Sequence, residues 1–326
     1  MLKTAVIGLG VIGHVHMQVL RNMGHLPAAV CDNQPERLKE FSDIPGYTDY
    51  RLMLDEVQPD LIHICTPHYL HTEMILEGLR RNIHVLCEKP LCIRTEDVPL
   101  ILAAEKVSRG QLGICFQNRY KACNRYVKEY LEGKTVQSGC GSVIWKRGRD
   151  YYAADAWRGK WATEGGGVLI NQALHTLDLM IWYLGMPAEI TAMTGNLTLR
   201  DEIEVEDSAL LLCREADGRG FSFTATNGST QGYPVEITLK ADGHIIQIFK
   251  DKVLIDGELK DFRAGGAALG KEDYGNGHDP LIRDFYDCCE TGRRFPIGAA
   301  EAQKAALTVL GAYRSQGRPE PLQIFE

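Results

Sequence analysis

The chain has 326 residues, 44% apolar and 24% charged, the balance of an ordinary water-soluble globular protein and a length that favours two domains. Its 43 acidic and 36 basic residues leave a net charge of −7 with no basic block, which argues against nucleic acid as a main partner. No stretch approaches 18 uninterrupted apolar residues, so no membrane span is expected.

In chain order, "KTAVIGLG" is a short apolar strand ending in glycine, and "VIGHVHMQVLRNMG" has helical spacing. The three glycines of "MLKTAVIGLGVIG" break its apolar run, so it reads as a strand and turn rather than a leader. "LPAAVCD" is a second strand, and "PERLKEFS" opens a helix on Pro35. The strand "DLIHICTP", the amphipathic helix "YLHTEMILEGLRRN", the strand "HVLCEKP", the helix "TEDVPLILAAEKVSRG" and the strand "QLGICFQ" follow. This alternation predicts a parallel sheet covered on both faces over residues 1–119, with ligands outside the C-terminal strand ends. The ten cysteines are scattered without paired CxxC motifs. Five of them (Cys31, Cys65, Cys87, Cys115 and Cys213) fall in or beside strands, as reduced core residues of a cytoplasmic protein would.

Gly8-x-Gly10-x-x-Gly13 joins the first strand to the first helix. Gly8 permits the tight turn, Gly10 leaves room for a pyrophosphate, and Gly13 lets the helix approach the sheet, with the helix N-terminus facing the phosphates. Asp32 ends the second strand. A carboxylate there accepts hydrogen bonds from ribose hydroxyls and repels a 2′-phosphate, which favours NAD over NADP; it also suits a cap for the following turn. The expected cofactor site comprises Gly8, Gly10, Val11, Ile12, Gly13 and Asp32, with Thr66, Pro67, His71, Glu88 and Lys89 from later strand ends.

Beyond residue 120 the pattern changes. "NRYVKEYLEG" is a linking helix, "GSVIWKRGRDYY" a long strand, and residues 164–184 a helix. Apolar runs then alternate with Asp-Gly turns at 217–218, 242–243 and 256–257, a hairpin signal. Residues 120–326 thus read as an α+β domain with a large, mostly antiparallel sheet, a glycine-rich loop at 264–277, a helix "DPLIRDFYDCCETG" capped by Asp279, and a final amphipathic helix. Few helices are available to cover this sheet, so a homodimer or homotetramer through its faces is expected.

"TEGGGVLINQALHTLDLMIWYLG" carries the second signature. A triple-glycine turn lets backbone pass close to a ligand, and Asn171, His175 and Asp178 share one helix face, which Trp182 continues. A satisfied core network around His175 and a substrate site both fit that face. Tyr151, Tyr152, Trp157 and Trp161 cluster just before it, an aromatic platform of the kind a sugar ring uses. His68-x-x-His71 has metal-ligand spacing but no third ligand, so no metal is expected.

"GLGVIG", "CTPHYLH", "CEKPL" and "GGGVLINQALHTLD", in this order, resemble the Gfo/Idh/MocA family of glucose–fructose oxidoreductase and inositol dehydrogenase. The resemblance runs nearly the whole chain and implies a Rossmann domain, NAD, and oxidation of a secondary alcohol of a polyol. It places Lys89 beside the nicotinamide and the substrate hydroxyl, suggests a cis Lys89–Pro90 bond, gives Glu88 a positioning role, and makes His175 the proton acceptor, with Lys89 as base if burial lowers its pKa. Where the family usually has a carboxylate, Asn171 can only orient substrate. Arg119, Trp157 and His278 are expected to hold other substrate hydroxyls. A dinucleotide-sensing regulator of the same fold, and a reductase of a C=N or C=C bond, are the alternatives.

Overall fold

The computed structural model describes residues 2–263 and 277–326. The glycine-rich loop expected at 264–277 falls, apart from Gly277, outside the described residues. The first half builds strands β1 (Thr4–Ile7), β2 (Ala29–Cys31), β3 (Gly46–Tyr47), β4 (Leu61–Ile64), β5 (His84–Cys87) and β6 (Leu112–Ile114). Helices α1 (Val11–Asn22), α2 (Pro35–Leu38), α3 (Tyr50–Val57), α4 (His71–Arg80) and α5 (Asp97–Val107) connect them. The sheet order is β3-β2-β1-β4-β5-β6, all parallel. The order reverses between β1 and β4, and a crevice opens there at the strand ends. Both faces are covered by helices, so β1, β2 and β4 are buried along their whole length.

The second half adds α6 (Ala122–Tyr130), β7 (Val136–Ile144), α7 (Arg149–Ala153), α8 (Leu174–Leu184), β8 (Glu189–Gly195), β9 (Ser208–Arg214) and β10 (Gly220–Thr226). It closes with β11 (Glu236–Ala241), β12 (His244–Phe249), β13 (Lys252–Ile255), β14 (Glu258–Asp261), α9 (His278–Thr291), α10 (Ala299–Ser315) and β15 (Glu320–Pro321). The nine strands run β14-β13-β12-β11-β7-β10-β9-β8-β15, antiparallel except where β7 lies parallel to β10. Asp242-Gly243 and Asp256-Gly257 take positive φ at both positions, the primed turns that match strand twist. Helices α8 and α10 pack on one face of the sheet.

Three local expectations are corrected. The strand expected through "GSVIWKRGRDYY" stops at Ile144, and Tyr151 and Tyr152 sit on α7 instead. Helix α9 starts at His278 with Gly277 as its cap, so Asp279 lies inside the first turn. The triple glycine is packed against protein rather than open space. A Cβ on Gly166 would lie 2.0 Å from the Tyr313 hydroxyl, and one on Gly167 1.9 Å from the Glu206 carbonyl, so the turn is compressed between protein neighbours. It leads into a wide turn, Leu169–Ala173, ahead of α8.

Candidate active site

One cleft of about 1760 Å³ runs from the glycine turn, past the ends of β2, β4 and β5, to α7, α8 and the second sheet. Gly8, Gly10, Val11, Ile12, Asp32, Thr66, Pro67, Glu88 and Lys89 line it, together with Trp157, Asn171, His175 and His278. Gly13, His71 and Arg119 do not.

The glycines divide the work as their spacing suggests. Gly8 has φ +92°, and a Cβ there would lie 2.5 Å from the Cys65 carbonyl. A Cβ on Gly13 would lie 2.1 Å from the Gly8 carbonyl, whereas one on Gly10 would meet nothing nearer than Arg37 Nη1 at 3.6 Å. Gly8 and Gly13 therefore hold the turn together, and Gly10 leaves open space at the uncapped start of α1, whose first turn carries no acid. Gly13→Ala is expected to cost about 1–3 kcal/mol of stability or more, because backbone cannot give way. Gly10→Ala is expected to keep the melting temperature and weaken NAD binding at least about tenfold; thermal melts beside NAD titrations separate the two.

Asp32 is tied to the turn that follows β2 and lines the crevice. Its Oδ1 accepts from Gln34 N–H (2.9 Å), and its Oδ2 accepts from Leu9 N–H (2.7 Å) and from Arg37 (3.3 Å). It caps the turn and still lines the crevice.

His71 is corrected to a structural residue. It is fully buried, with Nδ1 2.8 Å from the Pro90 carbonyl and Nε2 3.0 Å from the Thr66 carbonyl, so it ties the β4 and β5 ends together behind the cofactor crevice. Its neighbour His68 contacts the Glu164 carbonyl (2.9 Å) through Nδ1 and packs its ring on Trp157, with centroids 4.7 Å apart. Both histidines of the metal-like spacing thus bond backbone carbonyls.

Arg119 is also corrected. It is buried and clamps Asp178 through Nε (2.8 Å) and Nη2 (2.6 Å), while Nη1 reaches Glu301 (2.9 Å). Its guanidinium lies over Trp182, 5.4 Å from the ring centroid. Burial disfavours its charge, but Asp178 and Glu301 outweigh that and keep it protonated. Asp178 and Trp182 therefore face Arg119 rather than substrate. Arg119→Ala strands a buried carboxylate and is expected to cost about 3–5 kcal/mol in denaturant unfolding.

Lys89, Asn171 and His175 do come together. The Lys89–Pro90 bond is cis. Lys89 Nζ donates to the Asn171 carbonyl (2.9 Å) and to Asn171 Oδ1 (3.0 Å). Burial lowers its pKa to about 8, with Glu88 opposing and Arg158 assisting. Asn171 Nδ2 donates to Glu164 Oε1 at 2.5 Å and is 3.3 Å from the Tyr151 hydroxyl. Glu164 is fully buried, and its Oε2 accepts from Gly159 N–H (2.5 Å). Burial raises its pKa, opposed by Gly159, Asn171, Arg158 and Lys89. Sequence reasoning missed Glu164; the signal was an acid placed directly before a buried glycine turn.

Gln117 Nε2 stands 3.4 Å from His175 Nε2, and His175 Nδ1 has no hydrogen-bond partner among the described residues. Burial, then the Lys89 charge, push the His175 pKa well below 6.5. His278 lines the cleft, and its Nε2 bonds Glu88 Oε1 at 3.1 Å. Of the four aromatics, Tyr151 and Trp157 line the cleft. Tyr152 is buried beside Leu199 and Ile203, and Trp161 packs outside on Tyr313. Arg158 lies over both Tyr151 (4.5 Å) and Trp157 (4.7 Å) on the cleft wall.

A dinucleotide crevice opening directly onto a lysine, an amide and an imidazole is the arrangement of a nicotinamide-dependent oxidoreductase. The chain belongs to the GFO/IDH/MocA oxidoreductase family. Residues 2–114 match that family's NAD-binding Rossmann fold and residues 135–246 its C-terminal domain. It is 26% identical over 58% of its length to an uncharacterized oxidoreductase, YrbE, of Bacillus subtilis, a match spanning 54% of that protein. It is 24% identical to myo-inositol 2-dehydrogenase of Thermotoga maritima, over 77% of this chain and 76% of the relative. The WlbA dehydrogenase from Bordetella pertussis, solved with NADH and UDP-GlcNAcA, superposes with a TM-score of 0.87 at 24% identity, over 99% of both chains. Among the described residues no helix is long and apolar enough to cross a membrane.

Proposed function

We propose that this chain oxidises a secondary alcohol of a sugar, sugar derivative or cyclitol to a ketone, or runs the reverse, with NAD as hydride carrier. The observation that carries this reading is Lys89, with a pKa brought to about 8, fixed by Asn171 at the end of the dinucleotide crevice that His175 also lines, its Nδ1 without a partner among the described residues. The open backbone at Gly10 and the start of α1 would hold the pyrophosphate, and Asp32 the ribose hydroxyls. When bound, the nicotinamide takes the hydride from the substrate carbon.

Of the two candidate bases, electrostatics favours Lys89. A general base works best with a pKa near the working pH, and His175 lies well below that range. Neutral Lys89 donates its two N–H groups to Asn171 and keeps a lone pair for the hydroxyl proton. With the Gln117 amide nitrogen facing Nε2, the His175 proton sits on Nδ1, free to donate to the developing alkoxide. Tyr151 and Trp157 offer the apolar faces a sugar ring needs.

The test is NAD reduction, followed by absorbance, with a panel of sugars, sugar acids, inositols and nucleotide sugars, for native protein and Lys89→Ala. Turnover of one polyol, lost in the variant, supports the reading. Tight NAD binding with no turnover moves it to a dinucleotide-sensing regulator, and turnover only of an unsaturated substrate to the reductase alternative.

The sheet face opposite α8 and α10 exposes Met193, Leu210 and Leu212, 68%, 57% and 60% accessible on neighbouring strands. A second copy of the chain covering that strip gives the homo-oligomer we propose. Light scattering of Leu210→Glu/Leu212→Glu is expected to show monomer where the native protein does not.

A further inference from the structure

We propose that a buried chain of side chains, Glu88–His16–His63–Tyr286–Thr4–His25, conducts protons between the cleft and the surface beside β1. Its purpose rests on the dehydrogenase reading above, because alcohol oxidation by NAD yields one proton that must leave the cleft, and reduction consumes one.

The links are all within hydrogen-bond reach. His16 Nε2 is 3.1 Å from Glu88 Oε1, His16 Nδ1 is 2.7 Å from His63 Nδ1, and His63 Nε2 is 3.0 Å from the Tyr286 hydroxyl. That hydroxyl is 2.9 Å from Thr4 Oγ1, which is 3.1 Å from His25 Nε2. His16 and His63 are 0% exposed, while Glu88, lining the cleft, and His25, at the far end, are 5% and 6% exposed. The six residues come from β1, α1, the turn after α1, β4, the end of β5 and α9. Burying so many polar groups through a parallel sheet is costly, and apolar side chains would fill the space more cheaply.

The chain has a single polarity. Burial opposes ionisation of Glu88, but hydrogen bonds from His16 and His278 overcome it and hold its pKa well below the usual carboxylate range. An ionised carboxylate only accepts, so His16 donates through Nε2. Burial keeps His16 and His63 neutral, so His16 Nδ1 is a lone pair and His63 Nδ1 carries the hydrogen facing it. His63 Nε2 then accepts from Tyr286, Tyr286 from Thr4, and Thr4 from His25. Among the described residues, the Leu2 carbonyl, 3.3 Å from Thr4 Oγ1, competes for the hydrogens of Thr4 and His25. A proton entering at His25 shifts each hydrogen one link inward and leaves Glu88 protonated with every link reversed. A proton moving outward restores the first state. Facing the chain are His278 on Glu88, the thiols of Cys65, Cys87 and Cys115, kept protonated by burial and by the Glu88 charge, and Glu290 beside His25.

The experiment is NMR of the full-length protein labelled with ¹⁵N-histidine, without substrate, in native, Tyr286→Phe and Thr4→Val forms. We expect a neutral Nε2–H tautomer for His16 and Nδ1–H for His63, and exchange of both hydrogens with water slowed at least tenfold in either variant, measured where both variants remain fully folded although each melts lower for the loss of a buried hydrogen-bond partner. Unchanged or faster exchange, or doubly protonated rings, overturns the proposal. So does stoichiometric zinc uptake that shifts His16 Nε2, since His16, Glu88 and His278 have ligand atoms within 4.8 Å of one another and a cation there would break the chain. If no polyol is turned over, the dehydrogenase reading falls while the exchange result stands separately.

Discussion

The rate of polyol oxidation, as kcat/KM, is expected to rise as pH climbs through about 8 and to level off above it. The sign follows from the charge. Lys89 has its pKa lowered to about 8, chiefly by burial, so it is a cation below that pH and a neutral amine above it. A cation can stabilise an alkoxide but cannot take a proton. Reduction of the ketone, which needs the protonated amine, is expected to fall through the same pH. Lys89→Ala should lose roughly 10²–10⁴ in kcat, the usual worth of positioned acid–base catalysis. Lys89→Arg decides between roles, because guanidinium keeps the charge and does not deprotonate. An inactive arginine variant supports Lys89 as base. An active one, with a rate that no longer changes through pH 8, assigns the base to His175 and leaves Lys89 as an electrostatic partner.

Much of this arrangement was legible because it depends on local rules. Buried strands alternating with helices can only be a covered parallel sheet, Gly13 is required by the nearby Gly8 carbonyl, and Gly8 by its own positive φ. The Asp-Gly turns report their own positive φ. What stayed hidden depends on distant partners. Arg119 looks like a substrate cation at a strand end, and nothing near it reveals that Asp178, 59 residues on, will clamp it. Apolar periodicity does not encode strand direction, so the parallel β7–β10 pair was invisible. "RDYY" has the aromatics of a strand, yet the chain turns at Gly148 and coils them into α7. His16 and His63 each read as isolated histidines, and only the packing of α1 on β4 brings their Nδ1 atoms together.

Asn171→Asp should move the Lys89 midpoint upward by roughly 1–3 pH units, while Glu164→Gln should move it below 8. Asn171 is the point where this chain departs from the carboxylate that the resemblance leads one to expect, but the negative charge is displaced by one link rather than lost. Glu164 holds the amide nitrogen of Asn171 at 2.5 Å, and the amide oxygen faces Lys89 at 3.0 Å. An aspartate at 171 would stand against Glu164 at a separation where two carboxylates cannot both ionise, so the pair would share one proton. The charge would then settle on the member touching Lys89, because the ammonium favours it there, and Lys89 would hold its own proton to higher pH. At pH 7.5 that variant should oxidise polyol more slowly and regain rate only in alkaline buffer. Glu164→Gln withdraws the charge altogether, so the Lys89 midpoint falls and the rate at pH 7.5 rises relative to its plateau. Because a glutamine has one oxygen for two donors, Gly159 N–H or Asn171 loses a partner, and stability should drop by about 1–3 kcal/mol. Opposite displacements of one midpoint identify the Lys89–Asn171–Glu164 relay as the element that sets the base. Displacement of both in the same direction, or of neither, would mean that burial alone sets the Lys89 pKa and that Asn171 acts on substrate.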